Sequence, residues 1–322
     1  MDPFGIDVDG WKYIFDPSKP ANKGLQVVPK NQIATPAFLY KYYSLKNFNI
    51  EALKNNYLYA SNRFELNDDF DCLEQLIDMN DLPDDYIYQF YQRFHEDNDF
   101  INENFESLKA DFPRNKAINY YGGFGVVSLS ENLYSPTMWA HYSNSNHGFA
   151  VKFNLENFHE RMLGPFPIHY RSEWFPLSLL KVDERFAFLY MTNIKSGDWK
   201  YEKEWRYIGV RPNMSYPPYV VDPELVEKRK FSYSPEAIEE IILGSRFFNE
   251  IVKENEDGKK LIIKPKLNER YGTDKEDLLA VITDCKLKTA WMVPKENSKT
   301  FELDSKPVEI SRIDENLFEV RL

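Results

Sequence analysis

Apolar residues along the chain fall into short alternating runs and a few stretches of three-and-four spacing, so strands and helices are both predicted. The segment Ala37-Phe38-Leu39-Tyr40-Lys41-Tyr42-Tyr43 is aromatic-rich and predicts a buried strand. Phe48, Ile50 and Leu53 place a short helix between Leu45 and Asn55, and Tyr57-Leu58-Tyr59-Ala60 follows as a second strand. From Asp85 to Phe112 the apolar positions Ile87, Phe90, Tyr91, Phe94, Ile101, Phe105 and Leu108 recur at helical spacing, with a break at Asp97-Asn98-Asp99. Gly122-Gly123-Phe124-Gly125 is a flexible entry to a strand at Val126-Val127-Ser128-Leu129-Ser130. Further strands are predicted over 148–153, 205–210 and 237–244, and a helix over Phe175 to Asn193. The remainder to Leu322 alternates charged turns with short runs such as Thr289-Ala290-Trp291-Met292-Val293.

This order predicts an α+β fold, a mixed or antiparallel sheet core with helical insertions. A single domain over 1–322 is expected. It divides into an irregular N-terminal arm, 1–36, docking through Trp11, Tyr13 and Phe15, a core over 37–245 and a C-terminal extension over 246–322.

Composition narrows the class. The 322 residues are 43% hydrophobic and 16% aromatic, which excludes a disordered chain. No run approaches the roughly 18 apolar residues of a membrane span, and Met1-Asp2-Pro3-Phe4-Gly5 has no signal-peptide character. Cys72 and Cys285 are too few for a disulfide framework, so a cytoplasmic protein is expected. A net charge of −11 disfavours a general nucleic-acid binder. Basic residues gather locally at Arg206, Arg211 and Lys228-Arg229-Lys230, which read as a solvated charged face before a basic binding pocket.

Several chemistries are missing. His95, His141, His147, His159 and His169 show no metal-ligand spacing, and there is no HExxH, paired CxxC, GxSxG, phosphate loop or GxGxxG. Asn67-Asp68-Asp69-Phe70-Asp71 lacks the glycine and distant glutamate of a calcium loop and reads as turn and cap chemistry. Acidic neighbours of Cys72 raise rather than lower a thiol pKa.

Three polar motifs remain, each on or beside a predicted strand: Lys41-Tyr42, Ser128-Leu129-Ser130-Glu131-Asn132, and Trp199-Lys200-Tyr201-Glu202-Lys203-Glu204-Trp205-Arg206. On a strand, Glu202 and Glu204 point the same way, and like charges so close need a cation, either Lys200, Lys203 or Arg206. Ion pairing of this kind is also a purely structural role. The aromatics of Met138-Trp139-Ala140-His141-Tyr142 either wall a flat ring or fill the core.

These motifs carry a resemblance. Leu39-Tyr40-Lys41-Tyr42, Leu58-Tyr59-Ala60-Ser61, Phe64 to Asp71, Ser128 to Asn132, Met138 to Tyr142 with His147-Gly148-Phe149, Glu202 to Arg206 and Ile241-Ile242-Leu243-Gly244 together resemble the bacterial family called domain of unknown function 2971, over about residues 38 to 245. Asp69 stands where that family usually has proline. More loosely, the layout is similar to that of ADP-ribosyltransferases, which implies an NAD-consuming enzyme that modifies a macromolecular acceptor, by analogy a toxin or antiphage effector. The resemblance implies that Glu204 is catalytic with Glu202 assisting. It assigns NAD binding to Lys41, Tyr42, Ser128, Ser130, Trp139, His141, Tyr142 and Arg206. Lys41 departs from the usual Arg or His of the first strand, and the long span from Lys41 to Ser128 demands a large helical insertion. The reading requires Glu204 to face an open cavity. Its rivals are a non-catalytic sensor or adaptor that binds a nucleotide or a protein, and a metal-dependent phosphodiesterase using Asp68, Asp71 and Glu204.

Overall fold

Eleven strands hydrogen-bond into one sheet in the computed structural model, which describes residues 2–158, 162–212, 214, 223–248, 251–255, 259–265, 270–296 and 298–322. His159 lies outside the described residues. From one edge the strands run Ile251–Glu254, Lys260–Ile263, Leu317–Arg321, Leu303–Asp314, Thr289–Pro294, Ile238–Leu243, Phe149–Asn154, Phe38–Tyr43, Phe124–Ser130, Glu204–Val210 and Met162–Pro167. Neighbours are antiparallel except Ile238–Leu243 and Thr289–Pro294, which pair in parallel, so the sheet is mixed. The fold is α+β, as the pattern predicts.

The central strands are buried on both faces, which accounts for their near-continuous apolar runs. In Phe124–Ser130 only Ser128 is half-buried, and in Glu204–Val210 only Val210 reaches solvent. Phe149–Asn154 enters the sheet through Gly148, where a Cβ would lie 2.2 Å from the Tyr43 carbonyl oxygen. Only glycine allows that approach.

The span between the strands Phe38–Tyr43 and Phe124–Ser130 is indeed a helical insertion, Asp84–Gln92 followed by Asn98–Gly123. They separate where predicted, because the Asp97 carboxylate caps the second helix by accepting from the Asp99 and Phe100 amides at 2.8 and 3.3 Å. That helix continues through Gly122 and Gly123 straight into its strand, so the expected flexible entry is absent.

Other elements differ from expectation. Residues within 1–36 form a three-stranded antiparallel meander, Phe4–Val8, Trp11–Phe15 and Leu25–Val28, rather than an irregular arm. It does dock through aromatics: Tyr13 is fully buried against Tyr190, and Trp11 stacks on His169 with centroids 4.3 Å apart. The helix expected from Phe175 starts at Glu184, where the Asp183 side chain caps it by accepting from Arg185 N. The pattern also missed a helix at Gly272–Asp284, which packs beside Asn47–Lys54. No helix among the described residues is long and apolar enough to cross a membrane.

Candidate functional site

The strands carrying Lys41, Ser128 and Glu204 are neighbours in the sheet. Arg206 lies directly opposite Ser128, Glu204 opposite Ser130, and Ser130 opposite Tyr40. Glu204 and Arg206, two apart on one strand, project to the same face. Nε and Nη2 of Arg206 donate to Glu204 Oε1 at 3.0 and 2.8 Å. The Asp71 carboxylate receives the other side of the fork, Nη1 to Oδ1 and Nη2 to Oδ2, both at 2.9 Å. Nη1 also donates to the Thr192 carbonyl at 2.7 Å. Such a planar fork grips Asp71 through two parallel hydrogen bonds while also holding Glu204, a fixed geometry that the point charge of a lysine lacks.

Glu202 does not belong to the strand. It ends a 3-10 turn, Gly197–Glu202, and Lys203 adopts a left-handed conformation with φ 46° before the strand begins at Glu204. The two glutamates converge through this kink rather than by strand alternation. Their shared cation is Lys195, whose Nζ donates to Glu202 Oε2 at 2.7 Å and Glu204 Oε2 at 2.9 Å. Lys200 and Lys203 are exposed and do not take the role expected of them. The Ser130 hydroxyl donates to the Glu202 carbonyl, fastening the kink to the Ser-x-Ser strand.

Burial and charge set the proton affinities. Burial pushes the Glu204 carboxyl up, but Arg206 and Lys195 outweigh it and hold it well below the usual carboxylate range. Glu202 moves the other way: burial and the Glu204 charge raise it against the pull of Lys195. Burial draws the Lys41 ammonium down to about 8, with the Glu204 charge opposing. Lys41 Nζ lies 3.4 Å from the Ser128 carbonyl oxygen. Asp71, Glu202 and Glu204 thus meet Lys41, Lys195 and Arg206, three carboxylates against three cations.

Glu202 is the outward end of the cluster. The Tyr142 hydroxyl donates to Glu202 Oε1 and accepts from Asn67 Nδ2 at 2.9 Å. Nearby, exposed His141 shares a 3.1 Å hydrogen bond with the Tyr201 hydroxyl. Tyr42 and Trp139 stand apart from these groups. Trp139 is fully buried, donates from Nε1 to the Leu133 carbonyl at 2.7 Å and meets Tyr42 edge-on at 5.1 Å. Tyr42 donates to the Asn132 and Leu133 carbonyls. Both shape the loop after the Ser-x-Ser strand, and the Trp139 ring offers no free face. Among the described residues no three His, Cys, Asp or Glu side chains are placed to hold a metal ion.

Lys195 and Tyr170 join this cluster without a sequence signal, whereas Asn67 and Tyr201 belong to stretches singled out in the sequence with no site role assigned to them. Tyr170, for instance, accepts the Glu204 amide at 2.8 Å, a contact no spacing foretells. Two cavities lie elsewhere, and neither is lined by Glu202 or Glu204, so neither supplies the opening in front of Glu204 that the catalytic reading requires.

Residues 138–207 match the family described as Protein of unknown function (DUF2971). The DUF2971 match is shorter than the span of motifs that resembles it, and includes His141, Tyr142, Lys195, Glu202, Glu204 and Arg206. Lys41, Ser128 and Asp71 lie before it and meet it through the fold. No curated protein and no solved structure matches the chain.

Proposed function

We propose that the chain is an ADP-ribosyltransferase-like enzyme that consumes NAD and modifies a macromolecular acceptor. One observation carries this reading: the first-strand cation, the Ser-x-Ser strand and the Glu-x-Glu turn, far apart in sequence, stand side by side around Glu204. In the reaction the bond between nicotinamide and ribose breaks, nicotinamide leaves neutral, and an acceptor nucleophile bonds to the ribose carbon and gives up a proton. Positive charge builds on the sugar meanwhile, and a fixed anionic carboxylate stabilises it. Glu204 stays ionised at any ordinary pH, as that role needs. Glu202, with its raised proton affinity and its link to Tyr142, is the group able to take the acceptor's proton. Label transfer or nicotinamide release from labelled NAD, in the presence of cell extract, tests the proposal. Activity undiminished in Glu204→Gln removes that residue from the mechanism.

A second reading is a non-catalytic sensor or adaptor. It is favoured by the saturation of Glu204: Oε1 is held by Arg206 and Oε2 by Lys195, the side chain is 3% exposed, and neither cavity borders it. On this reading the network is scaffold. Glu204→Gln then lowers the melting temperature and no nicotinamide is released under any condition.

A further inference from the structure

Away from this network, the C-terminal part of helix Asn98–Gly123 and the start of helix Glu184–Asn193 line an open cleft of about 640 Å³. Its volume falls in the roughly 300–1,000 Å³ range of small-ligand pockets. Phe124, Leu179, Val182, Phe188, Val210 and the Tyr120 ring supply apolar walls. Phe124 and Phe188 meet edge to face at 5.2 Å.

One charged group lines it in a fixed pose. The Glu184 side chain is 35% exposed, yet three donors pin it: Lys116 Nζ at 2.6 Å and the Tyr120 hydroxyl at 3.0 Å on Oε1, and the Tyr86 hydroxyl at 3.1 Å on Oε2. Lys116 is itself buried, its ammonium 5.0 Å from the Phe90 and Tyr120 ring centroids and 5.8 Å from that of Tyr86. A lysine caged by aromatics and aimed at a half-open carboxylate is a costly device. Its effect is to hold an acceptor rigid on the wall of a largely apolar open cleft, as binding sites require.

The chemistry of the cleft defines its occupant. Oε2 has one donor and room for a second. Lys116 already balances the Glu184 charge, so no full cation is called for. Arg185 and Asp183 on the rim pair with each other at 2.7 Å, which leaves no spare cation for a phosphate. We propose that this cavity binds a flat, neutral heteroaromatic molecule of the nucleobase or nucleoside class, its amino group donating to Glu184 and its ring against Phe188 and Val182. Val210 lies at the opposite end of its strand from Glu204, about 20 Å away at the usual strand rise, so this is a separate site.

Titration calorimetry of the full chain with adenosine, cytidine and guanosine tests it, with purine riboside as the comparator that lacks the amino group. At least one amino-bearing nucleoside is expected to bind below millimolar, and removal of the amino group is expected to weaken binding tenfold or more. Glu184→Gln weakens it by a similar factor. Val182→Trp places an indole where the ligand ring would lie, leaves Lys116 and Glu184 themselves unchanged, and abolishes binding. Arg114→Glu, in the neighbouring cleft of about 1890 Å³, and Lys41→Ala leave binding unchanged. No binding by any of the nucleosides overturns the proposal. So do unaltered binding in Val182→Trp and equal weakening by Arg114→Glu or Lys41→Ala.

Discussion

The Arg206 guanidinium and the Asp71 carboxylate face one another through two parallel hydrogen bonds of 2.9 Å, with both side chains sealed from solvent. The pair joins the Glu204 strand to the loop after Asn67-Asp68 and fixes the inner end of the ion network. Removing one partner of a buried pair leaves the other charge uncompensated, which costs about 3–5 kcal/mol. Asp71→Asn is therefore expected to lower stability by that amount in urea unfolding followed by circular dichroism. Loss of less than 1 kcal/mol would show that the guanidinium is adequately held by Glu204 and the Thr192 carbonyl alone.

The two glutamates should separate in their effects. Glu204 is clasped by Arg206 and Lys195, whereas Glu202 shares Lys195 and reaches outward to Tyr142. Glu202→Gln neutralises a carboxylate whose ionisation the fold already disfavours, so its melting temperature should stay close to that of the parent. Glu204→Gln strips two buried cations of a counter-charge and should melt well below the parent. If the chain turns over NAD, Glu204→Gln is expected to slow nicotinamide release by about 10²–10³-fold. Tyr142→Phe should slow it less. Equal melting losses in both glutamine variants would contradict the division of roles.

Lys41 makes the pH dependence specific. Its folded proton affinity, about 8, lies below the ordinary lysine value of 10.5. Between those values the unfolded chain carries more protons than the folded one, so stability rises with pH from 8 to 10.5, and the contribution is lost as pH falls through 8. Chemical unfolding at intervals across that window is expected to show the slope in the parent and a flatter one in Lys41→Met. Identical slopes would place the ammonium in a wetter setting than its burial implies.

Much of this architecture could be read from the chain, for a local reason. Strand runs such as Phe38–Tyr43 and the Asp97-capped helix are specified by residues within a few positions of each other. The nature of the carboxylate cluster was less legible because its closure is non-local. Arg206 was one of three cations in range of Glu204 in sequence, and strand alternation selected it. Lys195 comes from a separate short strand, Ile194–Ser196, and Asp71 lies 135 residues from the arginine it binds. Nor does a Glu-x-Glu pattern announce that Lys203 turns left-handed and takes Glu202 off the strand. The meander in the first thirty residues was missed because its strands are short and broken by Pro, Lys and Asp.

That meander supplies the last test. Trp11 lies flat on His169, centroids 4.3 Å apart and planes 10° from parallel, and this contact seats the N-terminal strands against the body. His169 is buried, and its Nδ1 finds no hydrogen-bond partner among the described residues. Burial and the neighbouring Arg171 charge lower its proton affinity from 6.5 to about 4, while Asp9 opposes. The unfolded chain therefore holds the extra proton first as pH drops. The His169 contribution to stability is complete above pH 6.5 and is lost as pH falls through 4. His169→Gln should remove that part of the acid slope, as measured by unfolding at pH 7, 6, 5 and 4. Trp11→Ala should cost about 2 kcal/mol at pH 7 through the lost stack and its buried area. It should also expose the meander to proteolysis before the rest of the chain unfolds. A Trp11→Ala protein as stable and as protease-resistant as the parent would mean that Tyr13 and Phe15 seat the meander without the stack.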